Sequence, residues 1–275
     1  MTLDGVLLVI GAPDSGKSTF ARWLFERLTQ TGRRVAFLDG DVGQSTIGLP
    51  TTLTLKDLKG LVHWFVGDVS PRGRMLPLVV GSGRLARRAL ASGAETIVVD
   101  TTGLIDPVSG GVALKHALVD ELQPTTLFAL QRRDELAPIL NPLRRLPRPR
   151  VVELPVSDAA QRRTVEARQA HRAAAFRRYF AGSGVLHLPL RGRAVFDGRT
   201  LAPHRLLALQ DAAGFALALG VIEKFDPSRV ELFIRTPLSD ATAVASLRLG
   251  VIGVDVQTGR DFRPGRGEGT GRSVD

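Results

Sequence analysis

Residues 6–19 leave this chain little freedom in what it can become. Val6-Leu-Leu-Val-Ile10 is an apolar run of strand length, Gly11-Ala12-Pro13-Asp14-Ser15-Gly16-Lys17-Ser18-Thr19 follows it, and a helical pattern begins at Ser18. Strand, G-x-x-x-x-G-K-[ST] loop and helix come in the order that a phosphate cradle requires. In such a loop the backbone N–H groups converge on phosphate, and the N-terminus of the next helix adds its partial positive charge. The expected assignments are Gly11 to Thr19 around the phosphates, Lys17 on the β- and γ-phosphates, and Ser18 on Mg²⁺.

Apolar strands and amphipathic helices then alternate. Phe20–Thr29 reads as a helix, Arg34–Leu38 as a strand, Leu61–Val66 as a strand, Leu76–Ser92 as a helix, and Glu95–Val99 as a buried strand. Val112–Leu122 is the next expected helix, with strands at Thr126–Leu130 and Val151–Leu154. This alternation over residues 1–155 predicts an α/β P-loop NTPase with a mostly parallel sheet, helices on both faces and right-handed crossovers.

In such sheets ligands bind at the carboxyl ends of the strands. Here those ends carry Asp39-Gly-Asp41-Val-Gly-Gln44 and Asp100-Thr101-Thr102-Gly103-Leu104. Two acids at i and i+2 of an extended segment share a side, so Asp39 and Asp41 can serve one metal or one nucleophile. Asp100, closing an apolar strand, is where a P-loop protein places a magnesium-organising carboxylate.

Farther on, the Pro-Arg run Asn141–Arg150 is not expected to be regular helix. Asp158–Phe180 is expected to be one long helix capped by Ser157, with arginines on every side. Val185–Pro189, Gly214–Glu223, Arg229–Arg235 and Ala245–Val256 are strand-like, and either extend the main sheet or form a small β-rich C-terminal part. The resulting division is a P-loop domain at 1–262, containing a helical lid at 155–182 and a β-rich part at 185–262, with a flexible tail at 263–275.

Charge matters chiefly by its placement. The net charge is +10, and between Asn141 and Phe180 ten arginines face three acids, which accounts for +7 of it. Such a segment attracts phosphate polymers. The chain has no cysteine, hence no disulfide and no thiolate metal site, and no histidine spacing suggests zinc. Val6–Ile10 is too short for a signal peptide and no apolar run is long enough to span a bilayer, so the expectation is a cytoplasmic protein with no membrane association.

The P-loop, Asp39-Gly-Asp41-Val-Gly-Gln44, Gly67-Asp-Val-Ser70-Pro71, Asp100-Thr-Thr-Gly-Leu-Ile-Asp106 and the helix ending Arg177-Arg-Tyr-Phe180 together resemble the polynucleotide 5′-hydroxyl kinase family. That family includes the kinases of pre-mRNA cleavage, tRNA splicing and pre-rRNA processing, and archaeal RNA kinases. The resemblance covers residues 5 to 260. It implies transfer of the γ-phosphate of ATP, with Mg²⁺, to the 5′-hydroxyl of RNA or DNA.

Carried over by motif, Lys17 and Ser18 serve phosphate and metal, Asp41 is the general base, and Asp39 holds the metal shell. Thr101 and Thr102 lie in a clasp around the nucleotide, while Arg172 and Arg177 are lid arginines that neutralise the transferring group. Gln44, Ser70, Arg72, Leu104 and Arg168 are expected on the nucleic acid. Leu104 stands where the family often has a base-stacking Trp. The larger members also hold adenine with an N-terminal domain ahead of the P-loop, and their C-terminal segment is longer. No obligate protein partner is evident.

Two other readings compete. Asp100-x-x-Gly103 fits a GTPase switch motif, and Gln131-Arg132-Arg133-Asp134 occupies the place of a guanine-reading Asn-Lys-x-Asp. A P-loop module that binds ATP without catalysis is the third, opposed by the presence of Lys17, Ser18, Asp39 and Asp41 together.

Overall fold

The computed structural model describes residues 3–198 and 200–264. Its central strand is β1 (Gly5–Gly11), buried on both sides because its alternate residues feed two separate cores. In order follow α1 (Lys17–Gln30), β2 (Val35–Gly40), β3 (Thr52–Asp57), β4 (Gly60–Phe65), α2 (Met75–Ala91), β5 (Thr96–Thr101), α3 (Gly111–Leu122) and β6 (Thr126–Gln131). Then come α4 (Ala137–Leu143), β7 (Arg150–Pro155), α5 (Val165–Phe180), β8 (Gly184–Pro189), β9 (Ala194–Phe196) and β10 (Arg205–Gln210). The described part ends with β11 (Ala216–Asp226), β12 (Glu231–Thr236), β13 (Ser246–Val254) and β14 (Asp261–Phe262). The tail expected to be mobile starts at Arg263, and its residues 265–275 lie outside the described ones.

The main path of the sheet is β14-β13-β10-β11-β4-β3-β2-β5-β1-β6-β7. Its stretch from β2 to β7 is parallel, as the strand–helix alternation predicts. Val6, Leu8 and Ile10 of β1 pack under α2, α3 and α4 through Leu78, Leu85, Leu114, Leu118 and Leu140. Leu7 and Val9 face α1 through Ala21, Leu24 and Leu28. The helices therefore lie on both faces. The motif loops leave the carboxyl ends of β1, β2, β4, β5 and β6, on one edge of this sheet.

The β-rich part fulfils both open alternatives. It has its own core, with Leu188, Leu207, Ile222, Ile234 and Leu249 fully or nearly buried, and β11 still pairs with β4 at Ala216 and His63. A further cluster fixes the foot of α5: Phe176 and Phe180 are buried against Phe65, Leu206, Val221 and Ile252. The Tyr179 hydroxyl accepts from Leu219 N at 2.7 Å in the same place, and burial pushes that phenol up to about 12. The helix is thus seated on the C-terminal part and reaches from there toward the nucleotide edge.

Two expectations are corrected. Asn141–Leu143 is helical, closing α4 with Pro142 inside it. Pro142 forfeits only the one backbone bond that its N–H would have made, and burial of Ile139, Leu140 and Leu143 offsets that loss. The long helix starts at Val165, with Thr164 rather than Ser157 as its cap: Thr164 Oγ1 accepts from Ala167 N at 3.1 Å. Residues ahead of it are drawn to the P-loop instead, where Arg163 N donates to Asp14 Oδ2 at 3.2 Å.

Candidate active site

An open cleft of about 1000 Å³ runs along the carboxyl edge, and Pro13, Asp14, Gly16, Lys17, Ser18 and Thr19 form its floor. Gly11, Ala12 and Ser15 belong to the same loop but are not among the lining residues. Gly16 takes φ 81°, a left-handed conformation that glycine adopts without cost, and it hands the chain directly to α1. No side chain caps this helix and no acid lies in its first turn, so its N–H groups and dipole are directed at an anion. Lys17 is buried apart from its contribution to the cleft.

The two acids after β2 divide the work. Asp39 has no exposed surface; its Oδ2 accepts from Ser45 Oγ, Thr46 N, Thr46 Oγ1 and Ile47 N at 2.6–3.1 Å, and its Oδ1 accepts from Asp41 N at 3.1 Å. The sequence expectation that Asp39 holds the metal is therefore corrected: its carboxylate is turned into loop 41–47 and does not line the cleft. Asp41 does line it. There Oδ1 accepts from Gly43 N and Gln44 N, both at 3.0 Å, and no protein donor engages Oδ2 among the described residues.

Asp100, at the end of β5, has an environment that fits a cation better. It has no exposed surface, and neither carboxylate oxygen has a hydrogen-bond partner among the described residues. Burial pushes its carboxyl up to about 7 against the pull of the Lys17 charge. A dry, unpaired acid beside a P-loop serine fits a divalent cation, with Ser18 and Asp100 as the residues that would hold it.

The next residues turn the chain under the P-loop. Thr101 donates its hydroxyl inward to Val9 O at 2.8 Å and is not part of the cleft wall, so of the expected clasp pair only Thr102 faces the cleft. Thr102 Oγ1 is buried without a partner among the described residues. A Cβ on Gly103 would stand 2.8 Å from Pro13 N, a backbone approach open only to glycine. Leu104 lines the cleft.

Opposite lie the loops after β2 and β4, and the helix α5. Gln44, Ser70 and Arg72 line the cleft, and the Gln44 amide donates to Arg168 O at 3.2 Å, tying that loop to α5. Arg168 and Arg172 line it too. Arg172 is held from behind by Asp261 of β14, donating through Nε at 2.9 Å and Nη2 at 3.1 Å. Arg177 does not line the cleft, and this corrects its expected placement on the nucleotide. At about 100° per residue it stands about 180° from Arg168 around the helix.

Several participants escape a reading of sequence alone. Arg162 and Arg163 line the cleft just before α5, although they were expected inside the helix. Asp68, nearly buried, accepts both bonds of Arg263, at 2.7 and 3.0 Å, which ties the end of the described chain to the loop after β4. Lys115 of α3 has no exposed surface and donates to the clasp. A signal for it existed, since Gly111, Lys115, Leu118 and Leu122 follow a helical period that places this lysine on the buried face.

The family described as mRNA cleavage and polyadenylation factor CLP1 P-loop matches residues 11–182. The chain belongs to the CLP1 P-loop family. A polyribonucleotide 5′-hydroxyl-kinase of Pyrococcus abyssi is 26% identical over 90% of this chain and 87% of its own length. One from Methanocaldococcus jannaschii is 31% identical over 71% of this chain and 57% of its own.

Among solved structures, the wild-type Clp1p–Pcf11p complex matches with TM-score 0.69 at 12% identity, covering 90% of this chain and 74% of that one. That likeness concerns the CLP1 fold alone. The matched segment begins in the P-loop and ends just past α5, so the cradle, both acids, the clasp and the lid all fall inside it. Among the described residues no helix is long and apolar enough to cross a membrane.

Proposed function

We propose that this CLP1-family chain is an ATP-dependent polynucleotide 5′-hydroxyl kinase. The observation that carries the reading is that Asp41, with one carboxylate oxygen open, shares a single cleft with Lys17, Arg168 and Arg172. A 5′-hydroxyl loses its proton only to a base within hydrogen-bond reach, and charge on a transferring phosphoryl group needs preorganised cations. In the reaction the acceptor oxygen bonds to the γ-phosphorus, its proton passes to Asp41, and the bond from that phosphorus to the ADP oxygen breaks. A divalent cation held by Ser18 and Asp100 would add charge neutralisation at the phosphates. Lys17 orients the β- and γ-phosphates, while Ser70, Arg72 and Arg162, which line the same cleft, hold the acceptor backbone.

The names of the archaeal relatives support RNA as the acceptor, and a cytoplasmic location is part of the same proposal. Pcf11p is a partner of the solved relative; whether this chain acts alone is judged by the activity of the isolated protein. The GTPase alternative loses its physical basis. Gln131 Nε2 donates to Glu153 at 2.5 Å and Gln131 Oε1 accepts from Leu136 N at 3.3 Å, so this side chain is committed to the fold and not to a base.

The test is incubation of the purified protein with γ-labelled ATP and Mg²⁺, using matched RNA and DNA oligonucleotides with 5′-hydroxyl or 5′-phosphate ends. Label on the 5′-hydroxyl RNA alone, or on both hydroxyl substrates, is the expected result. Nucleotide hydrolysis without any transfer would overturn the reading.

A further inference from the structure

Beneath the cleft lies a lysine that this chemistry leaves unexplained. Lys115 has no exposed surface, and its Nζ donates to Thr101 Oγ1 at 2.9 Å and to Thr102 O at 2.6 Å. Thr101 passes the bond on to Val9 O, so one ammonium ties α3 to the ends of β5 and β1. Its two hydrogen-bond partners are neutral oxygens. The charges that act on it are those of Lys17, Asp41 and Asp100, three groups of the candidate site.

Enclosing an ammonium with no carboxylate bonded to it is expensive, and an apolar side chain of like size normally stabilises such a position better. Burial pushes this amine down to about 7. A cost of that kind, located one layer behind the phosphate-binding edge, points to a functional constraint.

Peptide geometry supplies the constraint. In a trans peptide the carbonyl and the following N–H point in opposite directions. Lys115 draws the Thr102 carbonyl into the interior, so the Gly103 N–H points the opposite way, and Thr102 and Gly103 both line the cleft. The Thr102 hydroxyl, buried and unpartnered among the described residues, belongs to the same turn.

We infer that Lys115 is a positioning residue: by holding the Thr102 carbonyl it aims the Gly103 N–H and the Thr102 hydroxyl at the phosphoryl group in transfer. The inference rests on the kinase reading. Lys115 touches no substrate, and its effect passes through the Thr102–Gly103 peptide. Such donors contribute most where charge develops, so their misplacement lowers kcat more than nucleotide affinity.

The experiment compares wild type, Lys115→Met, Thr102→Ala and the double variant. It measures kcat and KM for ATP and acceptor, Kd for ADP with and without aluminium fluoride, and melting temperature. Lys115→Met is expected to lower kcat by roughly 10- to 100-fold, on the scale of one lost transition-state donor, and to leave KM for ATP within about threefold. Affinity for ADP with aluminium fluoride should fall with kcat while affinity for ADP alone stays. In the Thr102→Ala background the same change should cost less than in wild type, because both act on one turn.

Wild-type kcat and wild-type aluminium fluoride affinity in Lys115→Met would overturn the inference. So would a loss of ADP affinity in proportion to kcat, which marks a lysine that only supports the fold. If Lys115→Met does not fold, Lys115→Gln, too short to reach both oxygens, replaces it: a lowered kcat with unchanged ADP affinity supports the inference, and a wild-type kcat overturns it. Failure of the wild-type protein to label any 5′-hydroxyl end would instead sink the kinase reading itself.

Discussion

Arg168 Nη2 donates to the carboxylate of Asp14 at 2.5 Å, joining the lid helix to the P-loop across the mouth of the cleft. Asp14, at φ 58°, also accepts from Arg163 N through the same oxygen. One P-loop acid therefore gathers two groups of the lid segment, and a bound triphosphate competes with it for the guanidinium. Asp14→Ala removes a negative charge beside the phosphates and is expected to tighten nucleotide binding by about fivefold, on the scale of about 1 kcal/mol, while lowering kcat because the lid loses its anchor. Arg168→Ala should lower kcat about tenfold or more with little change in nucleotide affinity. Titration with a fluorescent ATP analogue and steady-state kinetics on both variants check this; weaker nucleotide binding in Asp14→Ala would refute the competition.

Asp41→Asn offers an unusually clean probe of the general base. The amide oxygen can accept the same bonds from Gly43 N and Gln44 N, so the loop keeps its shape while the proton acceptor disappears. Phosphoryl transfer should fall by about 10²- to 10⁴-fold, with ATP affinity nearly unchanged. Single-turnover transfer alongside nucleotide binding separates the two effects. A variant that turns over like wild type would remove Asp41 from the role of base.

What the sequence made legible was what is written in local pattern. The P-loop, the parallel strands ending on Asp39 and Asp100, and the basic character of 141–180 all follow from short-range order. Asp39 and Asp41 could be named from their spacing, but not told apart. Their difference depends on how loop 41–47 folds back, and only five converging donors reveal that Asp39 is an organiser. β3 escaped notice because Thr52 and Thr54 break its apolar character, although both are buried. β10 gives no alternation to read, being a short, almost wholly apolar run. Arg172 and Arg177 were paired by motif, whereas helical phase separates them.

Asp39 makes a prediction about stability rather than rate. Replacing it with Ala strands four donor groups of Ser45, Thr46 and Ile47 and the N–H of Asp41 in or near the interior. The expected loss is about 2–4 kcal/mol, from several unsatisfied buried groups partly rescued by water. Denaturant unfolding of the variant should show a lower midpoint with an unchanged slope. Activity is expected to fall as well, since Asp41 is carried on the same loop. A midpoint equal to wild type would mean that the loop does not depend on this carboxylate.

The lid arginines give the last prediction, and it separates charge from scaffolding. Arg172 lines the cleft and is gripped in bidentate fashion by Asp261, both side chains being largely shielded. Arg172→Ala removes the cation and also leaves Asp261 unpaired, so it should lower kcat about tenfold or more and reduce stability by about 1–3 kcal/mol. Asp261→Asn keeps the cation while weakening its support; it should share the stability loss but retain kcat within about threefold. Arg177, on the far side of α5, should change kcat by less than about twofold when replaced with Ala. Kinetics and melting curves on the three variants decide the matter. If Arg177→Ala matches Arg172→Ala in kcat, the helix must rotate or shift when nucleotide binds; if neither lowers kcat, neutralisation of the transferring group falls to Arg168 and Arg162.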